Sequence, residues 1–196
     1  MGKNKAQSSL AILGDAIGKG ILAGLAGTAA ITISQMIEMK ITKRGGSSSP
    51  SKVAGQVMGV VPSNKKQASE LAGETVEPEK TNEEVKEEHA ARFSQLMHWQ
   101  YGTSWGVPRG LLSLTGLNGL PATALHFAGI WSTAQVMLPA ANASEPITKW
   151  SPKQIATDVL HHAVYAVAAG LMFDYIDQTV KKKKSKKKKK NNKKKS

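Results

Sequence analysis

His98 and His162 each stand three residues before a tyrosine, Tyr101 and Tyr165, and a small residue follows each tyrosine. Positions three apart share a helix face, so each imidazole would lie one turn from a phenol. Asp158 precedes His162 by four residues and its carboxylate can meet that ring. Gln35 and Gln135 add amides from two other uncharged stretches. Three chemistries suit such a set. The imidazoles and amides can hydrogen-bond between helices and hold a bundle together. A histidine, with an ordinary pKa of about 6.5, can relay protons. The two histidines can also ligate haem or a metal, with Tyr or Gln orienting the rings. His126 reads as a packing residue outside this set. Arg109 reads as a side chain that snorkels to a surface, helped by a kink at Pro108, with Asp174 and Asp177 as partners.

The elements that position these residues follow from the distribution of charge. The chain has 196 residues, 27 Lys plus Arg, 14 Asp plus Glu and a net charge of +13. Residues 181–196 hold 12 lysines and no acid, so the remaining body carries only 13 − 12 = +1. That concentration argues against a basic nucleic-acid-binding fold, whose charge is spread over a surface. With no Cys, thiolate metal sites, disulfides and cysteine nucleophiles are excluded. Uncharged runs cover 20–37, 93–108, 110–144 and 159–173. A bilayer core of about 30 Å takes about 20 mostly apolar helical residues. The runs therefore predict spans at about 19–38, 94–116, 120–138 and 156–177. The spans are rich in Gly, Ala, Ser and Thr, which suits helices packed closely on one another. Gly20/Gly24, Gly102/Gly106/Gly110, Ala124/Ala128 and Ala166/Gly170 are small residues at four-residue spacing.

Turn signals divide the rest. Asn118-Gly119 predicts a tight link between the second and third spans, Pro139 ends the third, and Ser151-Pro152 opens the fourth. The first link, 39–93, is long and polar. It begins flexible at Gly45-Gly46-Ser47, and Thr81 to Glu84 has the form of a capping box that starts a helix. The carboxylates Glu83, Glu84, Glu87 and Glu88 read as a solvated helix face. Lys3, Lys5 and Lys19 precede the first span and the polylysine segment follows the last. By the positive-inside rule both termini are expected in the cytoplasm, with 39–93 and the loop after the third span outside. Residues 178–196 are too charged to bury a core and are expected to be disordered. Lys181, Lys182, Lys183 and Lys184 are placed to bind anionic lipid head groups.

Two spans repeat a pattern. His98 to Gly106 aligns with His162 to Gly170 at a constant offset of 64, which suggests a duplicated helical hairpin. In that arrangement His98 and His162 would occupy pseudo-symmetric positions facing the interior. The small-residue first span, the His-x-x-Tyr-small pattern of spans two and four, and Trp131 to Leu138-Pro139 at the end of span three resemble the uncharacterised four-span bacterial inner-membrane proteins that include the YagU-like family. The resemblance covers about residues 19–177 and implies an integral membrane protein of the cell inner membrane; it carries over no catalytic residues, and the polylysine tail departs from it.

The expectation is thus an all-α, four-helix transmembrane bundle: an N-terminal cytoplasmic segment at 1–18, a membrane domain at 19–177 and a tail at 178–196. The expected partners are the lipid bilayer, anionic head groups and a second copy through small-residue helix faces, with no specific nucleic acid, no cofactor and no bound metal. No phosphate loop, nucleophile elbow or zinc helix motif is present, so an enzyme is not expected. Its activity reads as structural, or as a small transport or proton-relay bundle. The alternatives are a soluble helical protein whose lysine tail binds nucleic acid and a histidine-ligated haem or metal membrane protein.

Overall fold

The computed structural model describes the backbone of residues 2–43 and 82–193. Side chains are described over 9–43, 89–183 and at 185, 186, 190 and 191. Most of the expected outside loop, the Thr81 end of the capping box and the glutamates Glu83 to Glu88 lie outside the described side chains. Every long element is a helix: α1 (Gly2–Thr42), α2 (Asn82–Ser104), α3 (Gly106–Leu112), α4 (Gly119–Ala140) and α5 (Pro152–Lys193), with short 3-10 turns at Ser113–Thr115 and Ile147–Lys149. Among the described residues there is no strand.

α1 is the central helix and carries two faces of four-residue period. Ala16, Gly20, Gly24 and Thr28 turn toward α2 and α3. Lys19, Ala23, Gly27 and Ile31 are buried on the neighbouring stripe, where Lys19 and Gly27 meet α5. The first face meets Gly102, Gly106 and Gly110 in antiparallel register. A Cβ on Gly106 would overlap the carbonyl oxygen of Gly20 and lie 2.7 Å from the Gly24 Cα. One on Gly110 would overlap the Ala16 carbonyl, and one on Gly102 the Thr28 hydroxyl. Two glycine stripes let the backbones themselves touch, a packing mode available only to small residues. Gly20/Gly24 and Gly102/Gly106/Gly110, expected from spacing, are therefore consumed within one chain. Gly170 abuts Thr123 in the same way between α4 and α5. Ala124 and Ala128, by contrast, are exposed; α4 buries Ala122, His126, Ile130 and Ala134 instead.

Cross-helix bonds fix an up-down-up-down order. Lys19 meets Asp177 and Ser34 meets His161, so α1 and α5 are antiparallel. Gln135 meets Asp158 while Thr123 meets Gly170, so α4 and α5 are antiparallel too. The N-terminus of α1, the α3–α4 link and the C-terminus of α5 thus share one end of the bundle. The core between them is Ala23, Ile31, Ile130, Tyr165, Ala169 and Phe173, with Trp105 against it.

Several boundaries differ from expectation for identifiable reasons. The second expected span is broken at Trp105, because Pro108 has no N–H to offer the Ser104 carbonyl and its ring crowds that oxygen. Asn118-Gly119 does form the turn, with Gly116 and Gly119 at φ 86° and 62°. Ser151 caps α5: its hydroxyl accepts from the Gln154 N–H at 3.3 Å, and the Gln154 amide oxygen accepts from the Ser151 N–H at 2.8 Å. Pro139 lies inside the last turn of α4 rather than after it. Residues 2–18 are helical and continuous with the first expected span. The tail expected to be disordered continues α5 to Lys193. Extending an existing helix avoids the cost of nucleation, and Lys is a good helix former. Two helical stretches, Ser9–Thr42 and Pro152–Lys183, are long and apolar enough to cross a membrane.

The glycine contact gives a direct test. Gly106→Ala is expected to destabilise the fold by about 1–3 kcal/mol, the usual cost of overpacking against atoms that cannot rotate away. Gly129→Ala, where nothing lies within 4 Å of the added carbon, is expected to be neutral or slightly stabilising. Thermal denaturation of both variants in mild detergent measures the difference.

Candidate functional site

The polar side chains of the interior form three levels along the bundle. At the end that holds the termini, Arg109 on α3 is fully buried, with 0% of its surface exposed. Its Nη2 donates to the Asp174 carboxylate of α5 at 2.7 Å, and its guanidinium stacks 4.4 Å from the centre of the Phe173 ring. The expected Asp174 partnership is therefore present, but Arg109 lies inside the bundle rather than snorkelling to a surface. Its Nε and Nη1 are buried with no hydrogen-bond partner among the described residues. One turn toward the termini, Lys19 pairs with Asp15 at 2.5 Å and Asp177 at 2.9 Å, and Lys181 reaches Asp177 at 2.7 Å. Three cations and three carboxylates balance each other there; the pairing covers the buried Arg109 and Lys19, while Asp15 and Lys181 reach the surface.

At mid-height the donors end on backbone carbonyls. The Tyr165 hydroxyl, 3% exposed as a residue, donates to the Gly102 carbonyl at 2.5 Å, across α1 where Gly27 leaves room for its ring. His126 Nε2 lies 2.8 Å from the Trp105 carbonyl at the α2–α3 break. A carbonyl only accepts, so Nε2 carries the proton. The Thr28 hydroxyl donates to its own helix at Gly24. The two expected tyrosines are thus not equivalent. Tyr101 is 40% exposed and meets Trp105 edge to face.

At the far end, His98 Nε2 lies 3.1 Å from the Thr32 hydroxyl oxygen. That hydroxyl donates its proton to the Thr28 carbonyl at 2.7 Å, so His98 Nε2 is the donor. His162 sits elsewhere. Its Nδ1 donates to the Asp158 carbonyl of its own helix at 2.8 Å, with the Asp158 carboxylate 3.5 Å away. Asp158 is the junction between α4 and α5, accepting from Trp131 Nε1 at 2.9 Å and Gln135 Nε2 at 3.2 Å. Gln35 is half-buried. Of the expected set, the structure joins Asp158, His162 and Gln135 into one group and seats His98 and Tyr165 separately against α1 and α2. It does not bring His98 and His162 to a common point. Among the described residues no three His, Asp or Glu side chains converge as a metal site requires. Of the expected lipid-binding lysines, Lys181, Lys182 and Lys183 are exposed, and the Lys184 side chain lies outside the described residues.

The residue sequence reasoning passed over is His161. It is 5% exposed and its Nδ1 pairs with the Ser34 hydroxyl at 2.8 Å. It belongs to the buried stripe Tyr165, Ala169 and Phe173 at four-residue steps, while His162 falls one position off that stripe. The same step places His126 between Ala122 and Ile130. That register is the signal that separates the adjacent histidines. No family model, curated protein or solved structure matches the chain.

The Arg109 pair is open to test. Arg109→Leu leaves the Asp174 carboxylate without its cation and is expected to cost on the order of 3 kcal/mol, as for other broken buried pairs. The double variant Arg109→Leu/Asp174→Leu is expected to recover most of that loss. A double-mutant cycle read by thermal denaturation measures both; independent, additive losses would show that the pair does not hold α3 to α5.

Proposed function

We propose that the chain is an integral membrane protein of four spans whose interior polar groups fasten helix to helix. The observation that carries this reading is an inverted distribution of side chains. Arg109, Lys19, Thr28, His126 and His161 are buried, while Ile12, Ile21, Leu22, Ile33, Ile37, Leu120, Leu125, Val136, Leu160, Val167 and Leu171 are exposed. In water, apolar exposure on that scale, over three helices, would be an aggregation surface. In lipid it is the solvated surface, and the paired interior charges are where a membrane protein keeps them. α1 and α5 are the two spans supported by length and composition. α4 is proposed as a third because it carries no charged residue over 22 residues. α2 and α3 together are proposed as the fourth, crossing as one kinked helix with the buried Arg109 neutralised by Asp174.

A purely supporting role fits the bonds better than a proton relay. The Tyr165 and His126 protons both end on backbone carbonyls, which accept but pass nothing on. Between the Arg109 level and the His161 level stands the apolar cluster of Ala23, Ile31 and Ile130. The resemblance to YagU-like inner-membrane proteins agrees with this reading and adds the inner membrane as the compartment. The basic residues at both ends of the chain support cytoplasmic termini.

Fractionation and topology reporters test the proposal. The protein is expected to stay with membranes through a carbonate wash and to leave only in detergent. A reporter fused after Ser196 is expected to be active only as a cytoplasmic type, and one inserted at Ser63 only as an external type. Release by carbonate, or the opposite reporter pattern, would overturn it.

A further inference from the structure

We infer that Arg109 and His126 hold an internal water molecule that ties the α2–α3 bend to α4. The inference deepens the fastening role proposed above. It does not depend on what surrounds the bundle, because both residues are buried within the chain itself, Arg109 at 0% exposed and His126 at 2%. Three of their polar atoms, Arg109 Nε, Arg109 Nη1 and His126 Nδ1, are buried with no hydrogen-bond partner among the described residues. Buried polar atoms in folded proteins are, with few exceptions, bonded to protein or to ordered water. Orphans from two different helices at one place therefore call for a common ligand.

The two residues are neighbours. His126 Nε2 meets the Trp105 carbonyl at 2.8 Å, and Trp105 stands about one helical turn before Arg109. The His126 ring lies 6.0 Å from that of Tyr165, while the guanidinium rests 4.4 Å from the centre of Phe173, about two turns further along α5. Arg109 is close enough for its charge to act on the imidazole. At the level between, α5 offers Ala169, and α4 offers Ala122, one turn from His126 on the Arg109 side. Both are wholly buried and carry only a methyl group.

The chemistry of the orphans selects the ligand. Arg109 offers N–H donors. His126 carries its proton on Nε2, so Nδ1 offers a lone pair. The ligand must accept from one residue and donate to the other, as a hydroxyl does. An anion accepts but cannot donate, and the Arg109 charge is already met by Asp174 at 2.7 Å. A metal cation would be repelled by the guanidinium. The Phe173 ring attracts the arginine as a cation but gives Nε and Nη1 no lone pair. Water is the smallest ligand with both capacities, and a buried water needs about 2–4 polar partners. It accepts from Arg109, donates to His126 Nδ1 and so joins α3 to α4. A bond relayed by water is nearly as favourable in enthalpy as a direct one.

The test uses the full chain in phosphatidylcholine nanodiscs, with nitrogen-15 in its arginine and histidine side chains, read by proton-detected NMR. The Arg109 side-chain N–H signal is expected to receive magnetisation from a proton at the water frequency. The His126 Nδ1 signal is expected at the position of a hydrogen-bonded acceptor, displaced from that of a bare ring nitrogen. Ala122→Val adds bulk at the level between the two groups and leaves every polar partner in place. It is expected to abolish the water transfer and return Nδ1 to the bare position, with the melting transition retained. His126→Phe keeps a ring but removes the acceptor, and is expected to abolish the transfer to Arg109 as well. If either variant fails to fold, the wild-type signals decide. A bare Nδ1 with no water transfer in the folded wild type would overturn the inference. So would transfer that persists in both folded variants, or a shift of either signal when chloride is replaced by gluconate, which would assign the site to an anion. A chain that is released by carbonate refutes the membrane reading on its own, and the same spectra recorded without lipid then decide the water site.

Discussion

The structure depends on one contact, the backbone-to-backbone approach of α1 to α2 and α3 across Gly20, Gly24, Gly106 and Gly110. No side chain separates the helices there, so dispersion and Cα–H to carbonyl contacts act over a long seam. This matters most where the hydrophobic effect cannot drive helices together, because lipid chains are as apolar as leucine. The seam also sets the positions of several interior polar groups. With α1 held against α2 and α3, Thr28 meets Gly102, Tyr165 crosses beside Gly27 to the Gly102 carbonyl, and Arg109 is held at the depth of Asp174.

The break at Trp105 is part of the same design. Pro108 frees the helix to bend, and the carbonyl of Trp105 at the bend is taken by His126 from α4. α4 thereby gains a polar tie to the α2–α3 unit that it otherwise touches little, while Asp158, Trp131 and Gln135 tie it to α5 at the other end. Among the described residues Thr28, Arg109, His126 and His161 each have a partner on a different helix or a backbone carbonyl, and Arg109, whose Nε and Nη1 have none, rests on the face of Phe173. An aromatic face attracts a guanidinium, more so away from water.

Much of this was legible in the residues. Glycine spacing marked the faces of α1 and α2–α3 that pack closely, though not which helices pair, and charge complementarity offered Asp174 and Asp177 as partners of Arg109, though for a side chain read as snorkelling to a surface rather than buried. Ser151-Pro152 and Asn118-Gly119 carried their local geometry directly. What could not be read was rotational register. His161 and His162 differ by 100° around one helix, and the choice between them is made by Ser34 and by the buried stripe through Tyr165, not by either histidine. The 64-residue repeat misled for the same reason: Tyr101 and Tyr165 share a pattern, but only Tyr165 faces a glycine, Gly27, that makes room for a ring. The tail misled because composition alone ignores that a helix already formed through Asp177 needs no new nucleus to continue.

The central claim is that apolar side chains of α4 and α5 face lipid while charge is kept inside. The chain has no cysteine, so single spin labels can be placed without background. Labels at Leu125 and Leu171, both exposed in the structure, are to be compared in bilayers for collision with oxygen, which partitions into hydrocarbon, and with a water-soluble nickel complex. The account predicts that oxygen dominates at both positions. Dominance of the nickel complex at both would show that these faces meet water and would contradict it.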